Sequence, residues 1–241
     1  MKEESEVLWG SRTREEFEAL AAAGAVVVVP IGATEQHGLH LPVDVDCRAA
    51  EHTARTAARM ASAPALVTPT IWAALSPHHM PHRGTITLTL DTLARLLSDL
   101  CGSITAHGFE RILFVNGHGG NTGILSAATL ELRHRLQRQV ETVSWFDLVG
   151  DVMDELRDGP GDDVGHAGEI ETSVMLYLAP DLVRLERGEL VTGITDDPRR
   201  ATAKKGELLL RTAAERLAGL VVGLHAKPGR EIVGIQMVEK R

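Results

Sequence analysis

The chain has 241 residues, 44% of them hydrophobic and 24% charged, which is enough to bury the core of one large α/β domain or two small ones, and one is expected. A formal net charge of -8 without any block of Lys and Arg gives no general attraction to nucleic acid or anionic lipid, so neither is an expected partner. Two cysteines, Cys47 and Cys101, exclude a disulfide framework and a thiolate zinc knuckle; with a polar, acidic start and no run of membrane-spanning length, they point to a soluble, cytoplasmic protein.

Thr13 and Glu16 form a capping-box pattern, and the Phe17, Leu20, Ala21 spacing predicts a short amphipathic helix ending at Gly24. Residues 25–31, AVVVVPI, are an unbroken β-branched run, the signature of a strand covered on both faces. An Ala-rich helix is predicted over 46–61, a short strand over 65–68, and a helix from a cap at Asp91 to about His107. Between the last two, residues 85–88 alternate Thr, Ile, Thr, Leu in the manner of a strand. RILFVN at 111–116 reads as a strand that stops at a Gly-rich turn, Gly117-His118-Gly119-Gly120-Asn121, before the helix-forming ILSAATLELRHRL. A strand at 140–145, a loop at 159–165, a helix at about 167–179 and a last helix at 206–223 continue the alternation. The fold class is therefore α/β with a largely parallel sheet.

Eleven histidines against 3% aromatic residues is a skewed inventory, and their clustering locates the chemistry. In open α/β sheets ligands gather beyond the carboxyl ends of strands, and two clusters fall there: GATEQHGLHLPVDVD and NGHGGN. Glu35 and His37, one residue apart, can face the same side of an extended loop, and Asp46 returns a carboxylate after the Leu41-Pro42 turn. Such imidazole and carboxylate sets suit catalytic zinc, manganese or iron, whereas the bland reading has Asp46 only capping a helix. His118 sits where flanking glycines let backbone approach a ligand. In HAGEIETS, at the start of a predicted helix, His166 and Glu169 lie three apart and therefore share a helical face, while Glu171 points substantially elsewhere. His78, His79 and His82, within SPHHMPHRGTITL, read as a pocket wall, and the two cysteines as small buried hydrophobes.

Taken in order, PIGATEQHGLHLPVDVD, GTITL, FVNGHGGN and HAGEIETS resemble the creatininase, or creatinine amidohydrolase, family over roughly residues 25–180. The resemblance implies a single three-layer α/β/α domain spanning 1–241 with a mostly parallel sheet, assembled as a homo-oligomer, commonly a hexamer. It implies two divalent ions held by Glu35, His37, Asp46 and His118, with Asp46 bridging, Glu35 and His118 on one ion and His37 on the other. Creatinine-hydrolysing members carry a further ligand Glu two residues after the NGH histidine, where this chain has Gly120; Glu169 is the expected replacement. His166 matches a proton-moving histidine of the family, with Glu171 expected to orient it.

The activity implied is hydrolysis of a C–N bond in a small amide, N-formyl or cyclic amide substrate by metal-activated water. Gly120 resembles the non-creatinine branches, the formylamino-pyrimidine deformylases and the mycofactocin precursor peptide peptidases, so a short peptide is the alternative substrate. Two other classes compete: a nucleotide-binding protein using the Gly-rich turn, which lacks both the P-loop Lys and G-x-G-x-x-G spacing, and a non-catalytic metal-stabilised oligomer.

Overall fold

The structure is a computed structural model that describes residues 3–161 and 163–230. In chain order its main elements are α1 (Glu4–Val7), α2 (Arg14–Ala22), β1 (Val26–Ile31), α3 (Val45–Met60), β2 (Ala65–Val67), α4 (Leu90–Ala106), β3 (Arg111–Asn116), α5 (Thr122–Leu136), β4 (Gln139–Ser144), α6 (Gly150–Leu156), α7 (Glu169–Leu178) and α8 (Ala203–Ala226). The four strands form one sheet in the order β2-β1-β3-β4, and every pair is parallel. Among the described residues no helix is long and apolar enough to cross a membrane.

Side chains alternate across a strand, so the β-branched run of β1 feeds two cores. Val27, Val29 and Ile31, with Ile112 and Phe114 of β3, pack on α4 and α5 through Leu93, Leu97, Leu125 and Leu132. Val26 and Val28, with Leu113 and Val115, pack on α3 and α8 through Ala54, Ala57, Leu217 and Val221. The result is three layers, helix on sheet on helix. Small Ala side chains on α3 bring that helix close to the sheet. Pro30 is tolerated in a central strand because the even-numbered residues of β1 turn their backbone toward β2, where Val26 N donates to Pro64 O and Thr68 N to Val28 O. β2 ends at Val67, so the missing N–H of Pro30 faces no strand.

β2 lies on one side of β1 and β3 on the other, so the chain leaves the carboxyl ends of β1 and β3 in diverging directions. That is the topological switch point, where an open α/β sheet has a crevice. Two glycines close it from below. A Cβ on Gly32 would lie 2.5 Å from Cys47 N, and one on Gly117 would lie 2.1 Å from Asp46 O. Both strand exits thus press directly on the first turn of α3, which carries Asp46.

Two sequence expectations are corrected. Thr89, not Asp91, caps α4: it has extended backbone and its Oγ1 accepts from Thr92 N, which leaves Asp91 in the first turn. Residues 85–88 make only isolated bridges, Ile86 to Thr34 and Thr87 to Ala74, because they pair with irregular loops and no extended partner continues the ladder. The loop expected at 159–165 carries no helix or strand where described, and Asp162 lies outside the described residues.

The Gly117 contact is testable by a matched pair. Gly117→Ala is expected to cost about 1–3 kcal/mol by forcing α3 off the strand ends. Gly119→Ala, where a Cβ would meet nothing within 4 Å, should change stability by no more than about 0.5 kcal/mol. Urea midpoints at constant slope measure both.

Candidate metal centre

Three loops build the site. The loop after β1 carries Glu35, whose N–H donates to Val43 O, and His37, two residues on. The loop after β3 carries His118, gripped by Asn116, whose Oδ1 accepts from His118 N at 3.1 Å and whose Nδ2 donates to His118 O at 2.8 Å. Asn121 joins these loops to a third, donating to Gly32 O at 3.0 Å and accepting from Leu75 N at 3.2 Å. The third loop brings Ser76, whose hydroxyl donates to Glu35 Oε2, and the His78-His79 pair.

Asp46 divides the cluster into two halves. Its Oδ2 lies 3.3 Å from His118 Nδ1, which is also 3.2 Å from Glu35 Oε1. Its Oδ1 lies 3.2 Å from His37 Nε2, which is also 3.4 Å from Glu171 Oε2. Glu35, His37, Asp46, His118 and Glu171 are all buried. Each of the two histidines spends its other ring nitrogen on a backbone carbonyl, His37 Nδ1 on Glu35 O at 3.1 Å and His118 Nε2 on Leu75 O at 3.1 Å. A carbonyl only accepts, so those nitrogens carry the proton and the inward ones present a lone pair.

Lone pairs therefore face carboxylate oxygens, and a cation must sit between them. Without a metal, that cation is a proton on the ring. Burial opposes charging the imidazoles, but the carboxylates of Glu171 and Asp46 raise His37 well above its ordinary range, and the carboxylates of Asp46 and Glu35 beside it raise His118 to about 10. Asp46 and Glu35 are held below the usual carboxylate range by the same partners, against the penalty of burial. Among the described residues, Glu35 Oε1, His37 Nε2 and Asp46 Oδ2 have no hydrogen-bond partner, an unfavourable state for buried polar atoms unless something else binds them. Three buried carboxylates line a cavity among whose lining residues there is neither Lys nor Arg. The donor set fits divalent cations bound by oxygen and imidazole nitrogen, and Glu35, His37 and Asp46 also offer atoms within 4.8 Å of one another.

The structure thus brings together Glu35, His37, Asp46, His118, His166 and Glu171. His166 reaches Glu35 Oε1 with its Nδ1 at 3.5 Å, and its Nε2 donates to Gln36 O at 2.7 Å. Glu169 is the exception. Its carboxylate is fully buried on the far side of α7, accepting from Asp158 N at 3.0 Å, Gly159 N at 2.9 Å and the Lys205 ammonium. The expectation that Glu169 completes the second half is corrected, and the carboxylate at that place is Glu171. Helical phase misleads because α7 begins only at Glu169, after Ala167 in the left-handed region and Gly168 at the cap, so His166 is not on the helix. Glu171 does not hydrogen-bond His166; it faces His37 and accepts from Ala167 N.

His78 and His79 line the cavity as a wall, whereas His82 is not among its lining residues. Sequence reasoning missed Ser76, Gln36 and the approach of His79 Nε2 to 3.4 Å from Glu35 Oε1; the one available signal was the repetition of His in a single loop. Both cysteines are buried, and burial pushes each thiol up to about 12, which suits small apolar packing residues. Gly117 and Gly120 of the 117–120 turn serve packing, since a Cβ on Gly120 would lie 2.4 Å from His118 Nε2 and 2.8 Å from Leu75 O. No side chain fits there while His118 keeps its place.

The sequence model of the creatininase family, described as creatinine amidohydrolase, matches residues 11–221. A mycofactocin precursor peptide peptidase of Mycobacterium tuberculosis is 35% identical over 217 aligned residues, covering 78% of this chain and 80% of that one. The creatinine amidohydrolase of Pseudomonas putida is 30% identical over 253 aligned positions, covering 89% and 96%. Among solved structures, a crystal structure of creatinine amidohydrolase superposes with a TM-score of 0.82 at 29% identity, covering 92% of this chain and 99% of that one. A mutant creatininase of the Zn-Zn type gives the same score at 27% identity and the same coverage.

The two acidic residues of α7 are separable by experiment. Glu169→Gln should weaken the bond to Lys205 and cost about 1–3 kcal/mol in a urea titration, while zinc uptake by the purified protein stays unchanged.

Proposed function

Because the chain belongs to the creatininase family of hydrolases, we propose that it is a dinuclear metal-dependent amidohydrolase, with Glu35, Asp46 and His118 holding one ion and His37, Asp46 and Glu171 the other. The carrying observation is that the two oxygens of Asp46 face separate imidazole and carboxylate sets, 3.2 and 3.3 Å from His37 and His118. A bridging carboxylate does that, and a helix-capping one does not; the N-cap position of α3 belongs to Asp44, and Asp46 lies inside the first turn. Zinc, manganese or iron suits such ligands, and the similar solved structures include creatininases of Zn-Zn and Mn forms.

Bound at such a site, divalent ions polarise an amide carbonyl and bring the pKa of water toward neutrality. The chain's own residues supply the rest. Ser76 and the Leu75 carbonyl fix Glu35 and His118, the Glu35 carbonyl fixes His37, and buried walls keep bulk water from the carboxylates. His166 Nδ1, free of any donor bond and facing the cluster, takes the proton of the attacking water and returns it to the departing nitrogen.

The cavity of about 680 Å³ extends from Glu35 and His118 to Phe146, Met153 and the loop at Asp163–His166. It has the volume of a site for an extended ligand and exceeds what one small ring would fill. With the glycine at 120 and relatives named as precursor peptide peptidases, this favours an amide bond in a short peptide. An N-formyl or other small amide is the second reading, favoured by the polar share of the lining: Glu35, Asp46, His78, His79, Asp147 and Asp163.

Elemental analysis tests the metal assignment. We expect two equivalents of zinc, manganese or iron per chain, falling to about one or fewer in Glu171→Gln and His118→Ala. Hydrolysis of a panel of creatinine, N-formyl amines and short peptides should drop at least about 100-fold in both variants. A wild-type protein that takes up no metal from zinc- or manganese-supplemented buffer overturns the reading.

A further inference from the structure

Three histidines at the centre turn a lone pair inward, because each gives its outer N–H to a backbone carbonyl: His37 to Glu35 O, His118 to Leu75 O and His166 to Gln36 O. His79 is wired the other way. Its Nδ1 lies 3.1 Å from the side-chain nitrogen of Gln36. The orientation of that amide is fixed by two further bonds, Oε1 accepting from Gly38 N at 2.9 Å and Nε2 donating to Gly193 O at 2.9 Å. Gly193 has φ +91, and a Cβ there would lie 2.7 Å from the same nitrogen, so only glycine lets the carbonyl come this close.

An amide nitrogen donates and never accepts. Its second hydrogen is therefore directed at His79 Nδ1, which must be unprotonated, and the ring proton of His79 sits on Nε2. The same amide nitrogen passes 3.0 Å from His166 Nε2, but both of its hydrogens are committed, and the His166 proton goes to Gln36 O at 2.7 Å. The His79 and His166 rings stack at 4.2 Å and 22°, so their inward edges open on the same cavity. The His79 Nε2–H points there, 3.4 Å from Glu35 Oε1, beyond ordinary N–H···O range.

We propose that Gln36 fixes His166 and His79, both protonated at Nε2, with opposite edges toward the cavity, so that His166 Nδ1 accepts the proton of the attacking water while His79 Nε2–H donates a hydrogen bond to the oxyanion developing on the substrate carbonyl. This deepens the hydrolase reading and rests on it. As the C–O bond forms, His166 takes one proton; as the C–N bond breaks, that proton passes to the nitrogen that leaves, and His79 keeps its own throughout. His79 is then a catalytic residue and Gln36 a positioning residue. A preorganised N–H beside a developing oxyanion has its effect on kcat, because the ground-state carbonyl oxygen binds it less strongly.

The test reads tautomers directly. In zinc-loaded protein labelled with 15N-histidine, long-range 1H–15N correlation spectra assigned through His79→Gln and His166→Gln should show His79 and His166 each protonated at Nε2. The difference lies in which protonated nitrogen faces the site, and Gln36→Glu exposes it: a carboxylate only accepts, so the His79 proton should move to Nδ1 at unchanged zinc content. Methylphosphonate, a tetrahedral oxyanion, should bind zinc-loaded wild type at least about 10-fold more tightly than His79→Leu, with His79→Gln in between. A wild-type His79 protonated at Nδ1, equal methylphosphonate affinity in wild type and His79→Leu, or no binding to wild type overturns the proposal. A protein that takes up no zinc fails the hydrolase reading itself, an outcome distinct from a wrong tautomer in zinc-loaded protein.

Discussion

The structure depends on one unfavourable arrangement, three buried carboxylates placed against the lone pairs of buried imidazoles. Glu35, Asp46 and Glu171 together bring three negative charges into an interior where an unpaired charge is costly. Protons on His37 and His118 relieve part of this, as their raised pKa directions show. Divalent cations relieve it more fully, because each carries two charges and satisfies several oxygens and nitrogens at once. Asp46 is the pivot, since each of its oxygens belongs to a different half of the cluster.

Holding such a cluster together needs rigid supports, and the fold supplies them at the ends of its central strands. β1 and β3 are covered on both faces, so their exits are fixed by two packed cores and not by loop contacts alone. Glycines at 32 and 117 set both exits on the first turn of α3, and Asn116 and Asn121 lock the loops to one another. His37, His118 and His166 are each turned by a backbone carbonyl of these same loops, so backbone position is converted into side-chain tautomer.

Much of this is legible in the amino-acid sequence. The β-branched run at 25–31 and RILFVN at 111–116 name the two strands that matter, because unbroken apolar runs ending in polar or Gly-rich turns admit few other readings. Glu35, His37 and His118 stand out by their places just beyond those strands, and the motif resemblance adds Asp46 to them. The loops are less readable. GTITL alternates like a strand yet forms only bridges, since its partners are irregular, and His79 meets the side chain of Gln36, a residue 43 positions away. The identity of the carboxylate on α7 turns on where that helix begins, and sequence locates boundaries less well than elements.

That boundary also explains how α7 serves two purposes. Residues two apart on a helix point about 200° from each other, so Glu169 and Glu171 cannot both face the centre. The ammonium of Lys205 and the N–H groups of Asp158 and Gly159 claim Glu169, and a Cβ on Gly206 would lie 2.0 Å from Ser173 O, which shows how closely α8 seats against α7. With one face of α7 pinned in this way, its rotation is set, and Glu171 is the carboxylate left to meet His37. Gly120 fits the same logic from the other side. A side chain there would collide with His118 and with the Leu75 carbonyl that orients it, and the carboxylate that faces His37 comes from the helix and not from the turn after β3.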